Sequence, residues 1–249
     1  PICQGTFCRQ HFQITFANEV DEGYYTDKND LRKQKRIKKF ARYANQIYAT
    51  NPDLLRVLPS RAKFLPYAHV DLTSWQPIET AASRSKNDRL RVVHAPTHRA
   101  VKGTKYIIAA VENLVKQGKP IELILVENKT HAEARKIYET ADILVDQLLA
   151  GWYGGLAVEL MALGVPVVCY IRPEDLSYLP HDMKQELPLI DAQPTTIQTV
   201  LEDDLTWTPE KIGKARRQSR AYVERWHNPQ VIAGRLINDY RNALNKKNS

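Results

Sequence analysis

Between Leu90 and Tyr170, short runs of Val, Ile and Leu alternate with helical stretches that close at glycine, and this alternation most narrows the folds open to the chain. Strand-length apolar runs separated by amphipathic helical ones are the pattern of βα units around a parallel sheet. Strands are expected at 90–94, 121–126, 143–146 and 165–170, with a fifth at 187–190. The spacing predicts helices over 105–116, closed by Gly118, over 131–140, and over 156–163, closed by Gly164. The strand runs are apolar throughout rather than alternating, which implies a sheet covered on both faces.

Upstream the pattern is weaker. Residues 30–48 are expected to be helical, with Leu31, Ile37, Phe40, Ala41 and Ala44 on one side. Short strands are expected at 46–50 and 61–66. Residues 80–88 are small and polar without periodicity, the strongest linker signal in the chain. They divide it into 1–86, a partial first unit, and 87–228, a nearly complete α/β unit. After a break near Pro229, a closing helix at 229–249 is expected to pack back toward the first unit. Pro1-Ile2-Cys3 reads as a strand already under way, so the chain is expected to be the C-terminal part of something longer. There is no internal repeat.

No apolar run approaches the ~20 residues a membrane helix needs, and no signal-peptide pattern opens the chain. Cys3, Cys8 and Cys169 are an odd, sparse set that suits a reducing compartment, so a cytoplasmic location is expected. Cys3, Cys8 and His11 fall short of the usual four ligands of structural zinc, and no metal is expected. The net charge of +8 is uneven, because Lys28, Arg32, Lys33, Lys35, Arg36, Lys38, Lys39 and Arg42 crowd one helix-length stretch. Nucleic acid, an anionic membrane surface and plain solvation are all open to such a face.

Two loops follow expected strand ends, where open α/β sheets bind ligands. The first, 96–104, places Arg99 and Lys102 just before a helix start. Two cations beside free backbone N–H groups suit a diphosphate, and a solvated basic turn is the plain alternative. It is not a GxxxxGK[ST] loop. The second loop, Gly151-Trp152-Tyr153-Gly154-Gly155, lets backbone amides approach a phosphate at the next helix start. Glu159, one turn into that otherwise apolar helix, must reach solvent or accept hydrogen bonds, for instance from ribose hydroxyls. A carboxylate favoured by the helix dipole is the simpler account of it.

Arg99-x-x-Lys102-Gly103, then Ala141–Asp146, then Glu159-Leu160-Met161-Ala162-Leu163-Gly164-Val165-Pro166-Val167-Val168 together resemble the retaining glycosyltransferases of family 4, the group 1 transferases. The likeness covers about residues 89–245. A weaker one reaches the start, where Gly5-Thr6-Phe7-Cys8-Arg9 is similar to a Gly-Ser/Thr-Asp-x-Arg turn. The resemblance implies a GT-B fold, two Rossmann-like domains facing across a cleft, with the second holding a nucleoside-diphosphate sugar. It makes Arg99 and Lys102 the catalytic cations on the diphosphate. Gly103, Glu127, Asn128, Tyr153, Gly154, Gly155 and Glu159 become donor contacts, and Gln4, Gly5 and Arg9 the acceptor side. It implies no cofactor and no metal. The partners would be a nucleotide sugar, a carbohydrate or lipid-linked acceptor and peripherally an anionic membrane, with nucleic acid not expected.

The chain departs from this pattern in three places. Gly151 stands where many members carry a second sugar-facing Glu, and Gln4 and Phe7 replace a His and an Asp. A non-catalytic nucleotide-sugar-binding remnant therefore stands beside an active transferase. A nucleic-acid module built on the basic helix is a third reading, and an epimerase of the same fold lacks a matching carboxylate set.

Overall fold

The computed structural model describes residues 27–78, 89–206 and 208–245. Its centre is a four-stranded parallel sheet in the order β4-β3-β5-β6, formed by β3 (Leu90–His94), β4 (Ile121–Leu125), β5 (Ile143–Val145) and β6 (Val167–Val168). The chain runs from β3 outward to β4, then crosses back to β5 on the other side of β3. That reversal is a topological switch point, so the loops leaving β3 and β5 open a crevice between them. These loops are 95–98 and 146–154.

Continuous apolar strands require cover on both sheet faces. On one face α3 (Thr104–Lys116) and α7 (Ile197–Leu205) bury Ile107, Leu114, Ile197 and Leu201 against Val92, Ile143 and Val168. On the other, α5 (Gly155–Ala162) and α8 (Pro209–Trp226) pack Val158, Met161, Tyr222 and Val223 with Val93, Leu144 and Val167. The helix α4 (His131–Tyr138) opens on a capping box between Thr130 and Glu133. Thr208 caps α8 by accepting from the Lys211 amide, with Pro209 in its first turn.

The expected strand at 187–190 is reduced to one bridge between Ile190 and Val168. Pro188 has no N–H to donate to a ladder, and the Ile190 amide reaches the Val167 carbonyl at 2.9 Å as the chain passes. The helix expected over 30–48 is α1 (Asp27–Ala41), and the two short upstream strands are β1 (Tyr48–Ala49) and β2 (Lys63–Phe64), paired in parallel with each other. On α1 the expected apolar side is not buried: Leu31 and Phe40 are each more than half exposed, at 58% and 59%.

The linker at 80–88 lies outside the described residues, but the segment before it belongs to the core of the larger unit. Val70 and Trp75 are buried in the cluster of α5 and α8, and Phe64, Tyr67, Leu72 and Ile78 pack against it. Arg220 of α8 donates to the carbonyls of Trp75 and Ala162, which ties that segment to α5. The last helix, α9 (Pro229–Asn245), reaches back to the first strands, with Tyr48 Oη donating to Asp239 at 2.5 Å and Lys63 3.5 Å from the same carboxylate.

Candidate active site at the sheet switch point

At the end of β3 the chain turns through Pro96 and His98 into α2 (Arg99–Lys102), a single turn whose His98 side chain accepts from the Val101 amide. Gly103, at φ 76°, is both the end of α2 and the start of α3. This turn carries Arg99 and Lys102 to the crevice edge, and the Leu148 amide donates to the Lys102 carbonyl at 3.1 Å, so the two loops are pinned together.

Each cation meets a carboxylate. Arg99 makes a two-pronged contact with Glu127, Nε to Oε1 at 2.8 Å and Nη2 to Oε2 at 2.5 Å. The guanidinium hydrogen bonds hold the Glu127 carboxyl below its ordinary range, and Glu127 in turn raises Arg99. Lys102 Nζ lies 2.7 Å from Asp146 Oδ1, and the Gly154 amide donates to Asp146 Oδ2 at 2.6 Å. The Asp146 side chain is fully buried and that of Lys102 is 13% exposed. Asp146 directly follows β5, and its own amide continues the sheet by donating to Val168 at 2.9 Å.

The second loop ends at Gly154, the N-cap of α5, with extended backbone and no side-chain cap. Here glycine matters for space. A Cβ on Gly155 would stand 3.2 Å from the His69 imidazole, so the first turn of α5 is roofed by a residue of the upstream segment. One turn further in, Glu159 Oε1 lies 3.2 Å from His131 Nε2 and 3.7 Å from His69 Nε2. Glu159 retains 14% exposure at the crevice, which satisfies a polar group on an otherwise apolar helix.

Lys102, Gly103, Gly154, Gly155 and Glu159 are thus gathered around the start of α5, while Arg99 and Glu127 pair at the adjoining edge. Asn128 follows Glu127 in a left-handed conformation, φ 54°, and makes the turn out of β4. Tyr153, one of the expected donor contacts, has a fully buried ring. It packs 4.3 Å from Trp152, and its hydroxyl lies 3.1 Å from Tyr222 Oη and 2.9 Å from His227 Nε2. Gln4, Gly5 and Arg9 lie outside the described residues, as do Cys3, Cys8 and His11. Among the described residues no group of three or more His, Cys, Asp or Glu side chains is placed to hold a metal ion.

The sequence reading missed His69, His131 and the pairing of Asp146. Nothing local marks them: His69 and Glu159 are 90 positions apart, and only the wrap of the upstream segment over α5 brings them together.

No known family profile and no curated protein matches this chain. Solved structures do share its fold. A sucrose-phosphate synthase from Thermosynechococcus elongatus superimposes with a TM-score of 0.65 at 17% identity, covering 97% of this chain and 71% of its own. WaaG, a glycosyltransferase involved in lipopolysaccharide biosynthesis, gives a TM-score of 0.55 at 13% identity, over 94% of this chain and 72% of that one. TarM of S. aureus, solved with fondaparinux, α-GlcNAc-glycerol and UDP, gives 0.56 at 12% identity over 89% of this chain. The chain spans 48% of TarM's length. These proteins are GT-B glycosyltransferases, and the chain has their fold.

Proposed function

We propose that this chain is the donor-binding part of a retaining glycosyltransferase of family 4 type, which moves a sugar from a nucleoside-diphosphate sugar to a carbohydrate or lipid-linked acceptor without a metal or cofactor. The observation that carries this reading is the convergence of Arg99, Lys102 and the glycine-framed start of α5 at the switch point of a sheet with the GT-B fold. The neighbours add a consistent ligand class: TarM was solved with UDP, and starch synthase IV of Arabidopsis thaliana with ADP and acarbose.

In this reading the diphosphate lies along α2 and the start of α5. Arg99 is the mobile arm. It is 57% exposed, so exchanging Glu127 for a phosphate costs little. Its role in transfer is to meet the negative charge that develops on the departing diphosphate. This reading assigns no side chain as general base. The donor phosphate takes the acceptor proton on the same face, which is the retaining course. Glu159 holds the ribose hydroxyls in place of His131.

Thermal unfolding with UDP, GDP and ADP, in the presence of a chelator, tests this. One nucleotide is expected to raise the Tm progressively with concentration. Arg99→Ala is expected to weaken the nucleoside diphosphate roughly tenfold or more, the scale of a charge-assisted hydrogen bond, while the free nucleoside is unaffected. Equal losses for the two ligands would remove Arg99 from the phosphate. Binding without sugar transfer would favour the non-catalytic remnant, a reading supported by the carboxylate partner that each cation already has.

The acceptor side is proposed to work peripherally at a cytoplasmic membrane face, in surface polysaccharide or glycolipid synthesis. Supporting this, α1 combines Lys28, Arg32, Lys35, Arg36, Lys38 and Lys39, all exposed, with exposed Leu31 and Phe40. Each cation near an anionic bilayer is worth about 1 kcal/mol. No helix of the described residues is long and apolar enough to cross a membrane. The protein is expected to sediment with phosphatidylglycerol vesicles at low salt and to stay behind with phosphatidylcholine. Equal recovery with both would sink the membrane contact.

A further inference from the structure

We propose that the Asp146 carboxylate is a built-in occupant of the anion seat at the start of α5, and that it sets how strongly the site takes a nucleoside diphosphate. The inference rests on the donor-site reading above and deepens it.

The seat is visible because an anion already sits in it. Asp146 spends one oxygen on each of the two donors a phosphate would use, Lys102 Nζ at 2.7 Å and the Gly154 amide at 2.6 Å. The seat lies directly against the Gly154 backbone: a Cβ there would be in ordinary contact with both Asp146 Oδ2, at 3.4 Å, and Lys102 Nζ, at 3.5 Å. The carboxylate is not a wandering loop group. It follows Val145 of β5, and its backbone is fixed by the ladder bond to Val168.

The two cations of the site therefore differ in kind. The Arg99–Glu127 pair is open to water, with 57% and 26% of the side chains exposed, and can change partners at little cost. The Lys102–Asp146 pair is closed, with 13% and 0% exposed. A phosphate oxygen that reaches Lys102 and the Gly154 amide must displace Asp146 from both, or share the seat with a second negative charge. Removing the charge of Asp146 while keeping its shape should free the seat.

Isothermal titration of the full chain with inorganic pyrophosphate, and separately with the nucleoside diphosphate and its nucleoside, provides the test. Asp146→Asn is expected to bind pyrophosphate at least tenfold more tightly than the unaltered protein, with nucleoside affinity unchanged. The double variant Lys102→Met with Asp146→Leu removes the pair as a unit and is expected to show no gain, since the gain needs the lysine. Should Asp146→Asn fail to fold, Asp146→Ser carries the same expectation. Equal or weaker pyrophosphate binding by a folded Asp146→Asn, or an equal gain in the double variant, overturns the proposal. If that happens while the unaltered protein still binds the nucleoside diphosphate, the donor-site reading survives. If no variant and no unaltered protein binds either ligand, both fall.

Discussion

Lys102→Met is expected to lower the unfolding free energy by about 3–5 kcal/mol, the cost of leaving one partner of a buried ion pair behind. Without the ammonium, the Asp146 carboxylate would keep only the Gly154 amide while remaining fully buried. The converse change should cost much less. Lys102 has residual exposure at the crevice, so in Asp146→Asn its ammonium can turn to water. Arg99→Met should change stability by less than about 0.5 kcal/mol, because its pair with Glu127 is at the surface. Urea unfolding of the three variants at pH 7 ranks them. A loss below about 1 kcal/mol for Lys102→Met would mean that Asp146 does not depend on the lysine, and the closed-pair argument would fail with it.

Acid should weaken the fold through two buried histidines. His94 donates from Nδ1 to the Val145 carbonyl at 2.7 Å and accepts from Thr104 at Nε2, at 2.8 Å. His227 donates from Nδ1 to the Tyr67 carbonyl and accepts the Tyr153 hydroxyl at Nε2, both at 2.9 Å. Each ring is thus held neutral, and burial pushes each from the ordinary 6.5 down to about 4. Between these values the unfolded chain binds more protons than the folded one, so stability rises with pH there. The contribution is fully present above pH 6.5 and is lost as pH falls toward 4. At about 1.4 kcal/mol per pKa unit the loss is on the order of 3 kcal/mol per histidine.

Asp204 opposes this trend. Burial raises its carboxyl from 3.8 to about 7, so the folded state takes up a proton first and gains stability as pH falls through 7. The measurement therefore belongs in an Asp204→Asn background, by urea unfolding at pH 7, 5.5 and 4.5. A flat profile over that range would show that the two imidazoles are not held neutral.

The sheet was legible from sequence because its strands are local features. Uninterrupted runs such as Val92-Val93 and Ile143-Leu144-Val145 have few alternatives when helices flank them, and they fall within β3 and β5. Proline defeated the fifth strand, since the run at 187–190 has the right apolarity but lacks a donor at Pro188. The two loops were also singled out by Arg, Lys and Gly beside helix starts, and the structure brings them side by side at the switch point. What could not be read was pairing across the chain. Lys102 and Asp146 are 44 positions apart, and Tyr153 meets Tyr222 and His227 at separations of 69 and 74. A Trp-Tyr pair between glycines looks like an accessible loop until those distant partners close over it. On α1 the error ran the other way: helical spacing suggested a buried side, but spacing alone does not say what covers a face.

Gly151 limits which side chains its loop can carry. It turns at φ 72°, and a Cβ there would stand 3.0 Å from the Arg172 guanidinium carbon and 3.1 Å from Arg172 Cβ. Arg172 in turn contacts the buried Asp175, which also binds Arg56. A glutamate at 151, where the family resemblance would place one, would be disfavoured twice: by the left-handed backbone, and by an arginine side chain that already fills the space and has its own partners. Any side chain added at this position is therefore coupled to the Arg56–Asp175–Arg172 tie, and would have to move that arginine before it could reach the crevice.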